Sequence, residues 1–171
     1  MLKIGGYTLL ELLVTVSLMT ITILLAIPSW LDWINTAETA TQVNQLIAAI
    51  NFARSEAIKR NTPVSMCQSV DGKRCSGNWN DGYLIFINKD KADQIPAAAN
   101  RLRFYRHLSS RGMLIWHGKG MFNISPLGYL FVQNSVFSYC PKNKDPRFAR
   151  EIIISTTGRI RVSKQLMWPC P

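Results

Sequence analysis

Polar and apolar positions divide the chain into three textures. From Leu9 to Leu31 nearly every residue is apolar, with Glu11 close to the start and Asp32 just past the end. As a helix this run measures roughly 34 Å, about the hydrocarbon thickness of a bilayer. Pro28, inside the run, removes a backbone hydrogen bond and predicts a kink or a loosened turn. After Trp33 the pattern changes. Val43, Leu46, Ile47, Ile50, Ala53 and Ala57 recur at steps of three and four, the stripe of a helix lying on a core. Asn61-Thr62-Pro63 stops it. The pattern predicts one helix from about Tyr7 to Arg60, apolar all round in its first half and one-sided in its second.

From Pro63 onward the texture is that of strands. Short runs of Val, Ile, Phe and Tyr are separated by Asp71-Gly72, Gly77-Asn78, Asp81-Gly82 and Leu127-Gly128. Strands are predicted near 63–68, 83–88, 102–108, 113–117, 121–125, 129–133, 136–140 and 150–163. One long helix followed by many antiparallel strands is an α+β fold. Outside the apolar run roughly 130 residues remain, enough for one core.

Charge sharpens this picture. Residues 1–100 hold eight Lys/Arg against eight Asp/Glu, while 101–171 hold twelve against only Asp145 and Glu151. The whole net charge of +10 therefore sits in the last 71 residues. Such asymmetry suggests an anionic partner: nucleic acid, acidic lipid or polysaccharide.

Cys67, Cys75, Cys140 and Cys170 permit three pairings, and their spacing fits no zinc pattern. For a domain outside the cytoplasm, disulfides are expected. The expected bonds are Cys67–Cys75, closing a short loop, and Cys140–Cys170, tying down the tail.

The N-terminus reads Met1-Leu2-Lys3-Ile4-Gly5-Gly6, then Tyr7-Thr8-Leu9-Leu10-Glu11-Leu12. A secretory signal places its small-residue cleavage site after the apolar core; here Gly5-Gly6 comes before it. Cutting there leaves the apolar segment on the mature protein as an anchor. Glu11 beside it is a costly carboxylate in need of a role or a partner.

Gly6-Tyr7-Thr8-Leu9-Leu10-Glu11-Leu12 resembles the cleavage motif of type IV prepilins and type II secretion pseudopilins. The resemblance implies a leader over 1–6, cleavage between Gly6 and Tyr7 by a prepilin peptidase, and methylation of Tyr7. It also implies that Glu11 pairs with a neighbour's terminal amine during assembly. Residues 7–33 would then be the transmembrane and filament-core half of the helix. Residues 34–171 would form the periplasmic or extracellular head, a long helix packed on an antiparallel sheet. The expected location is the inner membrane in a single pass, then the cell-surface pilus, among major and minor pilins.

In the tail, Arg159 and Arg161 stand two apart, so on a strand both share one face while Ile160 and Val162 take the other. Gly158 permits a turn or bulge before them. Lys142, Lys144, Arg147 and Arg150 fall in the loop that a Cys140–Cys170 bond would close. Six cations on one surface suit a phosphate backbone, without base readout. Gly158-Arg159-Ile160-Arg161 resembles an element of FimT minor pilins, in the GspH/FimT branch of the pilin-like family. That likeness implies capture of double-stranded DNA during natural transformation. Two other readings compete: a structural minor pilin or pseudopilin that primes or caps assembly, and adhesion to acidic glycans or lipids.

No catalytic or metal-binding constellation is visible, and no cofactor is expected. His107 and His117 lack companions at ligand spacing, and a lone histidine is usually structural. Trp79 and Trp116 read as core or rim; Trp168 lies beside the basic tail.

Overall fold

A computed structural model describes residues 8–89, 100–106, 112–131 and 135–171. The leader, the cleavage position Gly6/Tyr7 and His107 lie outside the described residues, as do the side chains of 25–29, Pro28 among them. The chain forms two compact units, Met1–Ala37 and Glu38–Pro171.

Helix α1 runs from Leu9 to Arg60, close to the predicted span. Thr8 caps it: its Oγ1 accepts from the Glu11 backbone N–H at 3.2 Å. Thr8-Leu9-Leu10-Glu11 thus has the spacing of a capping box, whose acid also favours the positive end of the helix dipole. In the first unit the apolar side chains point outward, with Leu9 79%, Leu10 73% and Met19 67% exposed. The hydroxyls of Thr15, Ser17, Thr20 and Thr22 donate back to carbonyls of the preceding turn.

The expected membrane span is corrected here. Among the described residues no helix is long and apolar enough to cross a membrane. Glu11 and the four hydroxyl side chains punctuate the run, and the side chains of 25–29 lie outside the described set. The single-pass inner-membrane form falls with the span, and so does the inner membrane as a partner.

The second unit is built on the rest of α1. Leu46, Ala49, Ala53 and Ala57 are fully buried, with Val43 and Ile50 close to it. Asn61 and Thr62 end the helix, Asn61 adopting a positive φ of 48°. Among the described residues eight strands follow: β1 (Val64–Gln68), β2 (Gly82–Ile87), β3 (Arg101–Arg106), β4 (Gly112–Trp116), β5 (Phe122–Ile124), β6 (Ser135–Pro141), β7 (Arg150–Ile154) and β8 (Ile160–Ser163). They make two four-stranded antiparallel sheets, ordered β3-β2-β1-β5 and β4-β6-β7-β8.

One core joins the helix stripe to both sheets through Met66, Ile85, Phe122, Phe137, Tyr139 and Ile152. A smaller cluster of Cys67, Leu84, Phe86 and Met121 covers the other face of the first sheet. Because β2 is buried on both faces, it reads as a continuous apolar run instead of an alternating one.

Two predicted strands differ. Over 129–133 the described residues form a single bridge, Leu130 to Ile124, flanked by hydrogen bonds from the Ser125 N–H to the Tyr129 carbonyl and from the Phe131 N–H to the Asn123 carbonyl; 132–133 lie outside the described residues. The run 150–163 divides into β7 and β8 around a turn. There Gly158 takes a φ of 81°, its N–H donating to the Ser155 carbonyl. A Cβ at Gly158 would sit 2.9 Å from the Arg54 guanidinium carbon and 3.0 Å from the Gly128 carbonyl. Arg54 fills that space, donating to the carbonyls of Gly158 at 3.2 Å and Thr157 at 3.1 Å.

Candidate functional site

The C-terminal sheet carries most of the residues singled out by sequence. Both expected disulfides form, Cys67–Cys75 and Cys140–Cys170, each with Cα atoms 5.7 Å apart. The second holds the segment after β8 across the sheet, where the Met167 N–H donates to Glu151 Oε1 at 3.1 Å. Glu151 is wholly buried, and its Oε2 has no partner among the described residues. Opposite it in register lies Ser138, whose hydroxyl is 2.9 Å from His117 Nε2. Trp168 stacks on the His117 ring, centroids 5.0 Å apart. Burial holds the imidazole below its usual range, against an opposing pull from Glu151. His117 therefore has companions after all, brought together by strand pairing across a span that spacing cannot show.

The six cations divide into two groups. Lys142 and Lys144 are exposed in the turn after β6. Beside them Arg147 is held by Asp145, with 2.8 Å between Nη2 and Oδ2, and Arg147 keeps the Asp145 carboxyl below its usual range. Arg150 spends its guanidinium on the carbonyls of Arg147 and Ala149. At the other end of β7, Arg161 stands opposite Ile153, and Arg159 lies in the turn beyond. Arg150 and Ile153 are three steps apart along the strand, roughly 10 Å. The exposed Arg159 and Arg161 share a cleft of about 420 Å³ with Val136, Ile153, Ser155, Thr157 and Met167. Ile160 packs against the core on the opposite face.

The six cations thus fall in two groups along β7, and the guanidiniums of Arg147 and Arg150 are already engaged. Net charge summed along a chain says nothing about which face each residue takes, and β7 parts the two groups.

Glu11, the expected assembly carboxylate, is exposed in the first turn of α1. Trp79 is in the core, with its ring edge-on to Phe137, and Trp116 packs against it. Among the described residues no group of three or more His, Cys, Asp or Glu can hold a metal ion.

A long N-terminal helix on antiparallel sheets is the fold of type IV minor pilins, and solved structures agree. The chain resembles the minor pilin FimU of Pseudomonas aeruginosa strain PAO1, at 21% identity and a TM-score of 0.57. That match covers 74% of this chain and 88% of the other. A second crystal form gives a TM-score of 0.54 at 21% identity, covering 72% and 91%. Residues 42–158, more than half of the chain, match the family described as Type II transport protein GspH, and the chain belongs to that family. No curated protein matches the chain. The fold is one related to GspH and FimU, and is not specifically that of FimT.

These findings also correct the expected DNA partner. The family is described as a Type II transport protein and the solved structures as a type IV minor pilin, which lends the expected DNA capture and competence role no support.

Proposed function

We propose that this protein is a structural minor pilin or pseudopilin that takes part in priming or capping a pilin-type filament. The observation that carries this reading is the first half of α1. Its leucines, isoleucines and valines between Leu9 and Leu24 are 48–79% exposed. Apolar surface on that scale marks an interaction site, and a helix apolar all round is one meant to be buried. Family membership and the FimU-like fold supply the partner class: other pilins.

Within this reading residues 1–6 are a leader removed before Tyr7, whose new amine is methylated. Residues 7–33 form the filament core, and residues 34–171 the head. Glu11, four residues past the new terminus, serves as the assembly carboxylate toward a neighbour's amine. Thr8 and the helix dipole hold it at the first turn. The Gly158–Arg161 element is what favours a FimT-type subunit within the class, and it rests on sequence likeness alone.

Deleting the chain tests the function. Cells lacking it should build markedly fewer filaments, and the unaltered chain should restore them. Mass spectrometry of the restored protein should find Tyr7 as the methylated first residue. Normal filament numbers in the deletion strain would overturn the reading.

A further inference from the structure

We infer that the outer edge of β8, with Arg159 and Arg161 beside it, receives an acidic extended segment of a neighbouring subunit by strand addition. The inference rests on the filament reading above for the source of that segment, and on the geometry of β8 for everything else.

β8 is the last strand of its sheet, and among the described residues no strand pairs with its outer side. The ladder decides which backbone groups that edge offers. The Ser155 N–H donates to the Arg159 carbonyl, so this pair is of the hydrogen-bonded kind. Pairs alternate along an antiparallel ladder, so Arg161, opposite Ile153, also turns its backbone toward β7. Ile160 and Val162 then aim their N–H and C=O groups outward. Those groups are a template for an added strand.

Side chains select the occupant. Arg159 and Arg161 are exposed, have no acidic partner among the described residues, and rim a cleft floored by Val136 and Ile153. Ser155 and Thr157 add hydroxyls to its rim. On the opposite face Val162 is 48% exposed. An added strand alternates its side chains between these two faces, so glutamates or aspartates meet the arginines while apolar residues lie beside Val162. A second copy of β8 is the wrong occupant, because it would set arginine beside arginine, and like charges on paired strands repel. The edge is therefore protected against self-pairing and open to an acidic strand.

The test uses the full chain held in detergent and a capped nine-residue peptide alternating valine with glutamate. A lysine-for-glutamate peptide, heparin and a DNA duplex serve as competitors. The acidic peptide should bind, and hydrogen exchange at the Ile160 and Val162 amides should slow in the complex. Arg159→Gln/Arg161→Gln should weaken binding at least tenfold. Val162→Pro, which removes only an outward N–H, should do the same with its thermal melt unchanged. Exchange in the unsubstituted chain decides the matter even where the proline variant fails to fold. Unchanged exchange at both amides, equal binding of the lysine peptide, or equal competition by heparin or DNA would overturn the proposal. If peptide binding holds while the deletion strain builds filaments normally, the filament reading fails and the β8 surface stands. If the deletion loses filaments and the acidic peptide does not bind, the surface fails and the filament reading stands.

Discussion

The two halves of α1 are both rich in apolar residues, yet they behave as different materials. Between Leu9 and Leu24 the apolar side chains surround the helix and stay exposed; between Val43 and Ala57 they form one stripe and are buried. The second half has its partner within the chain, in the two sheets. The first half keeps its apolar side chains exposed, from 48% at Val14 to 79% at Leu9. Hydrophobic content alone does not distinguish them; the angular spread of that content around the axis does.

The largest expected effect separates the halves directly. Leu46→Ala should cost about 2–5 kcal/mol of head stability, by the lost transfer energy and the cavity left behind. Leu13→Ala, at a site 59% exposed, should change stability by less than about 0.5 kcal/mol while reducing filament incorporation. Urea unfolding of both variants, with incorporation counted in cells, checks the pair. Equal stability losses would erase the distinction.

The C-terminal bond should come next. Removing Cys140–Cys170, which spans 30 residues, should cost about 3.6 kcal/mol if chain entropy dominates. Removing Cys67–Cys75, which spans 8, should cost about 2.5 kcal/mol by the same relation. Paired Cys→Ser variants measured by thermal melting test this order.

Arg54→Ala should cost about 1–2 kcal/mol through its two lost carbonyl bonds. Hydrogen exchange should rise first at the β7–β8 turn, far from residue 54 in sequence. Thr8→Ala, in the exposed half, should fray the first turn of α1 by about 1 kcal/mol and leave the head's melting temperature unchanged.

The smallest effect is one of pH. His117 has a folded-state pKa held below its ordinary value, so the unfolded chain binds its proton first. Its contribution to stability is complete above about pH 6.5 and is lost as pH falls through the folded value. His117→Gln should flatten that part of the melting-temperature profile. An unchanged profile would show that the ring is not held neutral.

Much of this was legible in residue order. The helix, its stripe and the α+β class follow from spacing and turn residues, whereas the four cysteines permit three pairings, of which the expected one forms. Ala49 was missed because a small residue adds little to an apolar stripe, although close packing against the sheets favours one there. The Thr8-x-x-Glu11 cap is legible only once the helix is known to start at Leu9, because the apolar run around it carries no other start signal. What spacing cannot show is pairing across strands. Register alone brings Ser138 to Glu151, and Arg161 to Ile153, and it parts the basic residues that composition seemed to gather. The division of 150–163 turned on Gly158, whose need for a left-handed backbone is clear only beside Arg54 and Gly128.

The central claim is that the first half of α1 is an intermolecular surface. A photo-crosslinking phenylalanine analogue placed at Leu13, in cells assembling filaments, tests it most directly. The account predicts covalent adducts between this chain and a second pilin subunit. Adducts confined to the chain itself, or none with any pilin, would contradict it.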